Sequence, residues 1–154
     1  MTIRVIRAAE SDAETVGPLF DAYRVFYKKA SDPAGAERFI RQRLAGGESV
    51  VLVALAHEPR TRTDSAAGFT QLYPAFTSVG LGRLWILNDL FVAPEFRRQG
   101  VAEALMRAAE GHAKETGAVS LALLTAHDNA PAQALYARMG WSRDEQFQRW
   151  TRRL

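Results

Sequence analysis

The stretch FVAPEFRRQGVAEALMRAAEGHA, Phe91 to Ala113, changes period partway along. An apolar, strand-like run gives way to a turn carrying Arg97, Arg98 and Gly100, and a helical pattern follows at once. The start of a helix leaves four backbone N–H groups without intrahelical partners and carries the positive end of the helix dipole. A tight turn before it aims further amides inward, so the junction suits a bound anion, a phosphate above all. Gly100 lets the turn bend freely, and Ala102 is small enough for a ligand to lie close to the helix. Arg97 and Arg98 add charge at the rim. The plainer reading of the same residues is a solvated basic turn that starts a helix.

A second block, LLTAHDNAPAQALYARMGW, sets Asn129 between a strand and a short helix, with Tyr136 on that helix and Gly140 closing it. Taken singly, Asn129 reads as a helix cap and Tyr136 as a packed aromatic. The order and spacing of the two blocks carry the information.

The elements that must position these residues follow from periodicity. TIRVIR alternates and reads as a first strand. Ser11 with Glu14 predicts a capping box at the mouth of a first helix. Asp32 and Pro33 predict the cap and first residue of a second helix, stopped by Gly46 and Gly47. SVVLVALA reads as a strand, HEPRTRTDS as a polar loop, AAGFTQLYPAF and LWILNDLFV as further strands with a turn at FTSVGLGR. A helix from about Val101 to Thr116 follows, then AVSLALLTA as a buried strand, the short helix after Asn129, and DEQFQRWTRRL as a last strand. Consecutive strands imply an antiparallel meander, and the strand–helix–strand unit requires a parallel crossover. The expectation is one α/β domain over residues 1–154, its sheet mixing both pairings.

Composition bounds the alternatives. A chain of 154 residues can bury a core. Lys+Arg 20 against Asp+Glu 17 leaves +3, dispersed along the chain, which argues against nucleic-acid binding. With no cysteine there is no thiol nucleophile and no Cys metal site, and His57, His112 and His127 lack ligand spacing. No metal is expected. No apolar run approaches the roughly 20 residues that span a bilayer, and MTIRVIRAAE has no signal-peptide core, so the cytoplasm is the expected compartment.

With both blocks in view, the chain resembles the GNAT family of N-acetyltransferases. RRQGVA, Arg97 to Ala102, matches that family's Arg/Gln-x-x-Gly-x-Gly/Ala motif between a strand and a helix. Asn129, Ala132, Tyr136, Gly140 and Trp141 match its second motif. The likeness is densest from Trp85 to Trp141. Within the family, the helical segments and LNDLFV are similar to a microbial branch near fungal acetyltransferases that act on histones and polyamines. Polyamine acetyltransferases carry two acidic residues where this chain has Asn88 and then Asp89. The first of that pair often serves as base in the family, so Asn88 is a departure.

The resemblance implies a mixed sheet with helices on both faces and two splayed parallel strands. It implies acetyl-CoA as donor, with its diphosphate on the amides of Arg97, Arg98, Gln99, Gly100, Val101 and Ala102. The pantetheine arm would lie along Leu90, Phe91 and Val92, helped by Asn129. It further implies direct transfer of an acetyl group to a primary amine (a polyamine, a protein lysine or another small amine) through a tetrahedral oxyanion. The oxyanion would take an amide of Leu90 or Phe91. Free alkyl ammonium has a pKa of about 10, so a base is needed, and Asp89 is the nearest acidic candidate. Its alternative is a solvent-facing charge. Strand alternation sets Asn88 on the face opposite Leu87 and Asp89, unless a bulge intervenes. Tyr136 corresponds to the family's acid for the departing thiolate. An acceptor wall would draw on Tyr23, Tyr27, Asp32, Gln71 and Tyr73, with Asn88 beside them; Tyr27, Asp32, Tyr73 and Asn88 are the substrate-binding candidates. A homodimer through the last strand, using Phe147, Trp150 and Leu154, would also follow the family. The competing reading is a non-catalytic acyl-CoA sensor on the same fold.

Overall fold

A computed structural model describes residues 1–154. The chain divides into two compact units, Met1–Leu124 and Thr125–Leu154. The first holds a five-stranded sheet in the order β1-β2-β3-β4-β5. Its strands are β1 (Thr2–Arg7), β2 (Val50–Glu58), β3 (Thr63–Thr77), β4 (Gly82–Val92) and β5 (Ser120–Leu123). The first four pair antiparallel with their neighbours, and β4 and β5 pair parallel. The expected mixed sheet is thus present.

The helices α1 (Ala13–Phe26) and α2 (Pro33–Ala45) lie between β1 and β2 in sequence, and α3 (Val101–Glu115) links β4 to β5. On one face, Val16, Leu19 and Phe20 of α1 and Ile40 of α2 bury against Val51, Val53, Phe69 and Phe91 of the sheet. On the other face α3 packs its buried stripe of Val101, Leu105, Met106 and Ala109, spaced at helical period. The indole of Trp85 meets the ring of His112 edge-on at 4.7 Å there. Gly68 sits under the start of α3. A Cβ at Gly68 would stand 2.5 Å from the Phe91 carbonyl oxygen and 3.3 Å from Val101 Cγ1, so the missing side chain lets helix and sheet close together.

Several boundaries depart from the sequence reading. Ser11 caps nothing: the chain enters α1 through a short 3-10 turn, Glu10–Asp12, and the Asp12 carboxylate accepts the Ala9 amide at 2.7 Å. An acid three residues after that amide reaches it without help from Ser11 or Glu14. The polar loop shrinks to a turn at 59–62, because pairing continues through His57 with Asp64 and Glu58 with Thr63. β5 is an edge strand of four residues, alternately exposed and half-buried, instead of a buried run. No strand forms after α4 (Ala130–Arg138): residues 142–154 are irregular, and Phe147, Trp150 and Leu154 are exposed. No helix is long and apolar enough to cross a membrane.

The link between α1 and α2 is tied down by polar groups. Asp21, buried on α1, accepts from the Ser31 hydroxyl at 2.6 Å and the Asp32 amide at 2.8 Å. Asp32 in turn caps α2, its Oδ1 accepting the Gly35 amide at 2.9 Å, with Pro33 next in line as predicted. Losing a cap costs about 1 kcal/mol. Asp32→Ala is therefore expected to lose about that much in urea denaturation, and Asp32→Asn, which keeps the cap, to match the parent.

Candidate active site

The site starts from an irregularity in β4. Gln71 pairs with Asp89, yet the next residue of β3, Leu72, pairs with Leu87. Asn88 is the extra residue, left without an opposite number. Neighbouring residues of β3 point to opposite faces, so their partners do too. Leu87 joins Trp85 on the α3 face, and Asp89 joins Phe91 on the face of α1 and α2. Without the bulge, alternation would have put Leu87 and Asp89 together. The Asp89 carbonyl, displaced at the bulge, is held by the Thr70 hydroxyl at 2.8 Å.

The same point ends the pairing of β4 with β5. Their contact runs only from Leu84 with Ser120 to Leu87 with Leu123. Past Leu87, the segment 88–92 keeps β3 on one side and has no strand on the other. Leu90, Phe91 and Val92 lie on this stretch, where an extended ligand can add itself to the edge.

Asp89 is 5% exposed, which disposes of the solvent-facing alternative. Gln71 Nε2 donates to its Oδ2 at 2.7 Å, Asn88 Nδ2 donates to its Oδ1 at 3.1 Å, and the Tyr23 hydroxyl donates as well. All three partners are neutral. Burial pushes the Asp89 carboxyl above its ordinary 3.8, and the hydrogen bonds from Gln71, Tyr23 and Asn88 oppose that rise. The folded protein therefore holds this proton more tightly than the unfolded chain does. Ionising Asp89 works against the fold: stability from this group is greatest below 3.8 and is lost as pH climbs through the raised value.

An aromatic group surrounds the carboxylate. Tyr23 packs edge-on to Tyr27, Phe69 and Phe91, with ring centroids 5.0, 6.0 and 6.3 Å away. Burial and the nearby Asp89 charge push the Tyr23 hydroxyl far up, so it stays a donor throughout the working range. Tyr73, two residues from Gln71 on the same face of β3, is also pushed up by burial and Asp89. Of the residues assigned to the acceptor wall from sequence, Tyr23 thus bonds Asp89, Tyr73 feels its charge, and Tyr27 packs on Tyr23. Asn88 is exposed at the bulge with its amide on Asp89, and Asp32 is engaged as a helix cap. Tyr23 and Gln71 were offered for that wall, but nothing in the sequence singled them out as the partners of Asp89. The signal for them is the register that sets Gln71 opposite Asp89.

The basic turn follows β4 directly, through the 3-10 turn Pro94–Phe96. Arg98 and Gly100 both take left-handed backbone, with φ 59 and φ 82. Alternating backbone hands of this kind turn successive amides toward one concavity that suits an anion. The first bond back from α3 is Ala104 N–H to Gly100 O at 3.0 Å, which leaves the amides of the opening turn pointing out of the helix end. Two side chains of the motif serve the turn itself. Arg97 Nε donates to the Val92 carbonyl at 3.1 Å and Gln99 Nε2 to the Glu95 carbonyl at 2.9 Å. The Arg97 guanidinium is thereby drawn back onto the end of β4.

In the second unit, Asn129 caps α4, its Oδ1 accepting the Ala132 amide at 3.4 Å, as its reading as a cap predicts. Gln133 Nε2 bonds the carbonyls of Ala126 and His127, both at 3.0 Å, and braces the approach to that helix. Tyr136 stands on α4 with its ring 6.3 Å from that of Trp141.

Gly100 has open space around it, so an alanine there meets only backbone strain. Gly100→Ala is expected to lose about 1–2 kcal/mol in chemical denaturation and to bind inorganic diphosphate several-fold more weakly in calorimetry.

The likeness drawn from two motifs extends along most of the chain. The Acetyltransferase (GNAT) family matches residues 17–141. An uncharacterized N-acetyltransferase of Bacillus subtilis, YhfO, is 45% identical over 147 residues, 96% of this chain and 93% of that protein. A D-amino-acid N-acetyltransferase of Saccharomyces cerevisiae is 30% identical over 146 residues, 92% of this chain and 86% of its own. The crystal structure of a probable acetyltransferase superposes with a TM-score of 0.90 at 41% identity, covering 98% of this chain and 97% of that one. The bulged strand, the parted edge and the amide-lined turn are the frame of an acetyltransferase, and the chain belongs to the GNAT family.

Proposed function

We propose that this acetyltransferase moves the acetyl group of acetyl-CoA directly onto a primary amine, with Asp89 as the base. The observation that carries the reading is a buried carboxylate whose partners are all neutral, set where β4 leaves its parallel neighbour. A buried anion without a cation is costly, and a substrate ammonium supplies the missing charge. The turn and helix start at 97–102 suit the diphosphate of the donor. The edge at 90–92 suits the pantetheine, with an amide of Leu90 or Phe91 for the oxyanion.

The ammonium gives a proton to Asp89, and the neutral amine attacks the thioester carbonyl. The raised pKa of Asp89 suits this step, because it brings the base closer in strength to the amine. Collapse of the tetrahedral intermediate expels the thiolate. Tyr136, assigned on its place in the second motif, supplies the thiolate's proton and is restored by the proton that the acylated nitrogen sheds as the amide forms, and Asn129 is assigned to the pantetheine on the same ground. The match over 17–141 spans both units, which supports reading residues 1–154 as one acetyltransferase domain.

Tyr73 near Asp89, and Tyr27 packed on Tyr23, suit the alkyl part of an amine, and their hydroxyls suit its polar end. This fits polyamines and lysine side chains, the substrates of the fungal branch. The yeast relative named for D-amino acids adds α-amines to the panel.

Free-thiol release from acetyl-CoA is the assay, with spermidine, a lysine peptide, an aminoglycoside and D-amino acids as acceptors. At least one is expected to give acceptor-dependent release; tight donor binding without release from any amine would instead favour a sensor. Asp89→Asn is expected to abolish the acid limb of kcat/KM, which in the parent lies above pH 3.8. Tyr136→Phe is expected to lower kcat roughly tenfold or more while leaving the dissociation constant for acetyl-CoA within about twofold. An unchanged pH profile in the first, or unchanged turnover in the second, contradicts the assignment.

A further inference from the structure

Gln71 is fully buried, and its amide has two ends with different fates. Nε2 donates to Asp89 Oδ2 at 2.7 Å. Oε1 is buried with no hydrogen-bond partner. A buried acceptor left unpaired costs about 1–3 kcal/mol, so a side chain that stays in such a place has a reason to be there. A leucine would fill the space without that penalty.

The reason lies in what Asp89 must do. An ionised carboxylate is acceptor-only, and a protonated one becomes a donor. A partner with only donors, such as lysine or arginine, suits the first state and leaves the new O–H of the second without an acceptor. A primary amide suits both. With Asp89 ionised, Nε2 faces it, as observed. Once Asp89 carries a proton, a half-turn of the amide brings Oε1 round to accept the new O–H. No other group holds Oε1 in place, so the turn breaks no bond except the one it replaces.

We propose that Gln71 is the positioning residue of the proton transfer: it donates to the Asp89 carboxylate before the step and accepts from the Asp89 carboxylic acid after it. This rests on the reading of Asp89 as base. In the step, an N–H bond of the substrate ammonium breaks, an O–H bond forms on Asp89, and the amide of Gln71 turns over. The reverse turn accompanies release of that proton to solvent. Gln71 touches neither the thioester nor the amine. It keeps the carboxyl aimed and limits the cost of either charge state. The other groups facing Asp89 do not duplicate this. Tyr23 on α1 is a donor at all working pH, and Asn88 donates from the bulge. Tyr73 on β3 stands near it, with Arg43 of α2 and Glu48 beyond Tyr73, and Tyr27, just past α1, faces Tyr23.

The test uses full-length protein labelled with 13Cγ-aspartate, in which the Asp89 resonance is assigned by its loss in Asp89→Asn. Gln71→Met keeps the volume and removes both amide functions. It is expected to raise the Asp89 titration midpoint by about half a pH unit or more, because the charge-assisted bond lost from the carboxylate is stronger than the neutral bond lost from the acid. The acid limb of kcat/KM for the best acceptor of the panel should move up with it, while the dissociation constant for acetyl-CoA stays within about twofold. Gln71→Glu, should Gln71→Met not fold, is expected to move the midpoint in the same direction, since two carboxyls at that distance cannot both ionise. A midpoint that stays within about 0.3 unit of the parent in the folded variant overturns the inference. That outcome is separable from failure of the base assignment, in which Asp89→Asn would keep the acid limb whatever Gln71 does.

Discussion

One extra residue in one strand sets the terms for the rest of this structure. Asn88 has no partner on β3, and on either side of it the alternation of β4 changes phase. Before it, Trp85 and Leu87 face α3; after it, Asp89 and Phe91 face α1 and α2. The pairing of β4 with β5 stops at the same place. A bulge bends and twists its strand, so the change of face and the parting of the parallel neighbour have one local origin. The result is a carboxylate turned into a hydrophobic layer at the start of an unpaired backbone edge. Burial there opposes ionisation, and the hydrogen bonds from Gln71, Tyr23 and Asn88 offset part of that cost.

The second element is the turn that leaves the same strand. Within nine residues of Val92 the chain makes a 3-10 turn, takes left-handed backbone at Arg98 and Gly100, and enters α3. The start of that helix is pinned to the sheet by its contact at Gly68. Edge and amide-lined turn are therefore consecutive parts of one chain segment, held in fixed relation by the packing of α3. A long donor with an anionic head and an extended arm needs such a continuous track.

Much of this was readable before any coordinates. The turn motif, the Asp32 and Pro33 start of α2, the Gly46 stop and the bounds of α3 all depend on residues a few positions apart, and local chemistry fixed them. What failed depended on neighbours. AVSLALLTA is apolar enough for a buried strand, but burial needs strands on both sides, and β5 lies at the sheet edge. DEQFQRWTRRL was expected to form a last strand, yet no partner pairs with it. Ser11 does not cap α1 because the 3-10 turn Glu10–Asp12 leads into it, with the Asp12 carboxylate reaching back to the Ala9 amide. The bulge itself was foreseen only as an exception, since an inserted residue is invisible until the opposing register is known. For the same reason Gln71, eighteen positions from Asp89, could not be named as its partner.

The most direct measurement is a crystal structure of the protein with acetyl-CoA and a non-reactive amine. The account predicts the pantetheine running beside residues 88–92, the diphosphate on the amides of 98–102, and the amine nitrogen within hydrogen-bonding distance of the Asp89 carboxylate on the α1 and α2 face. A structure with Asp89 turned to the α3 face, or with the edge at 88–92 closed by another strand while the donor lies elsewhere, would contradict it.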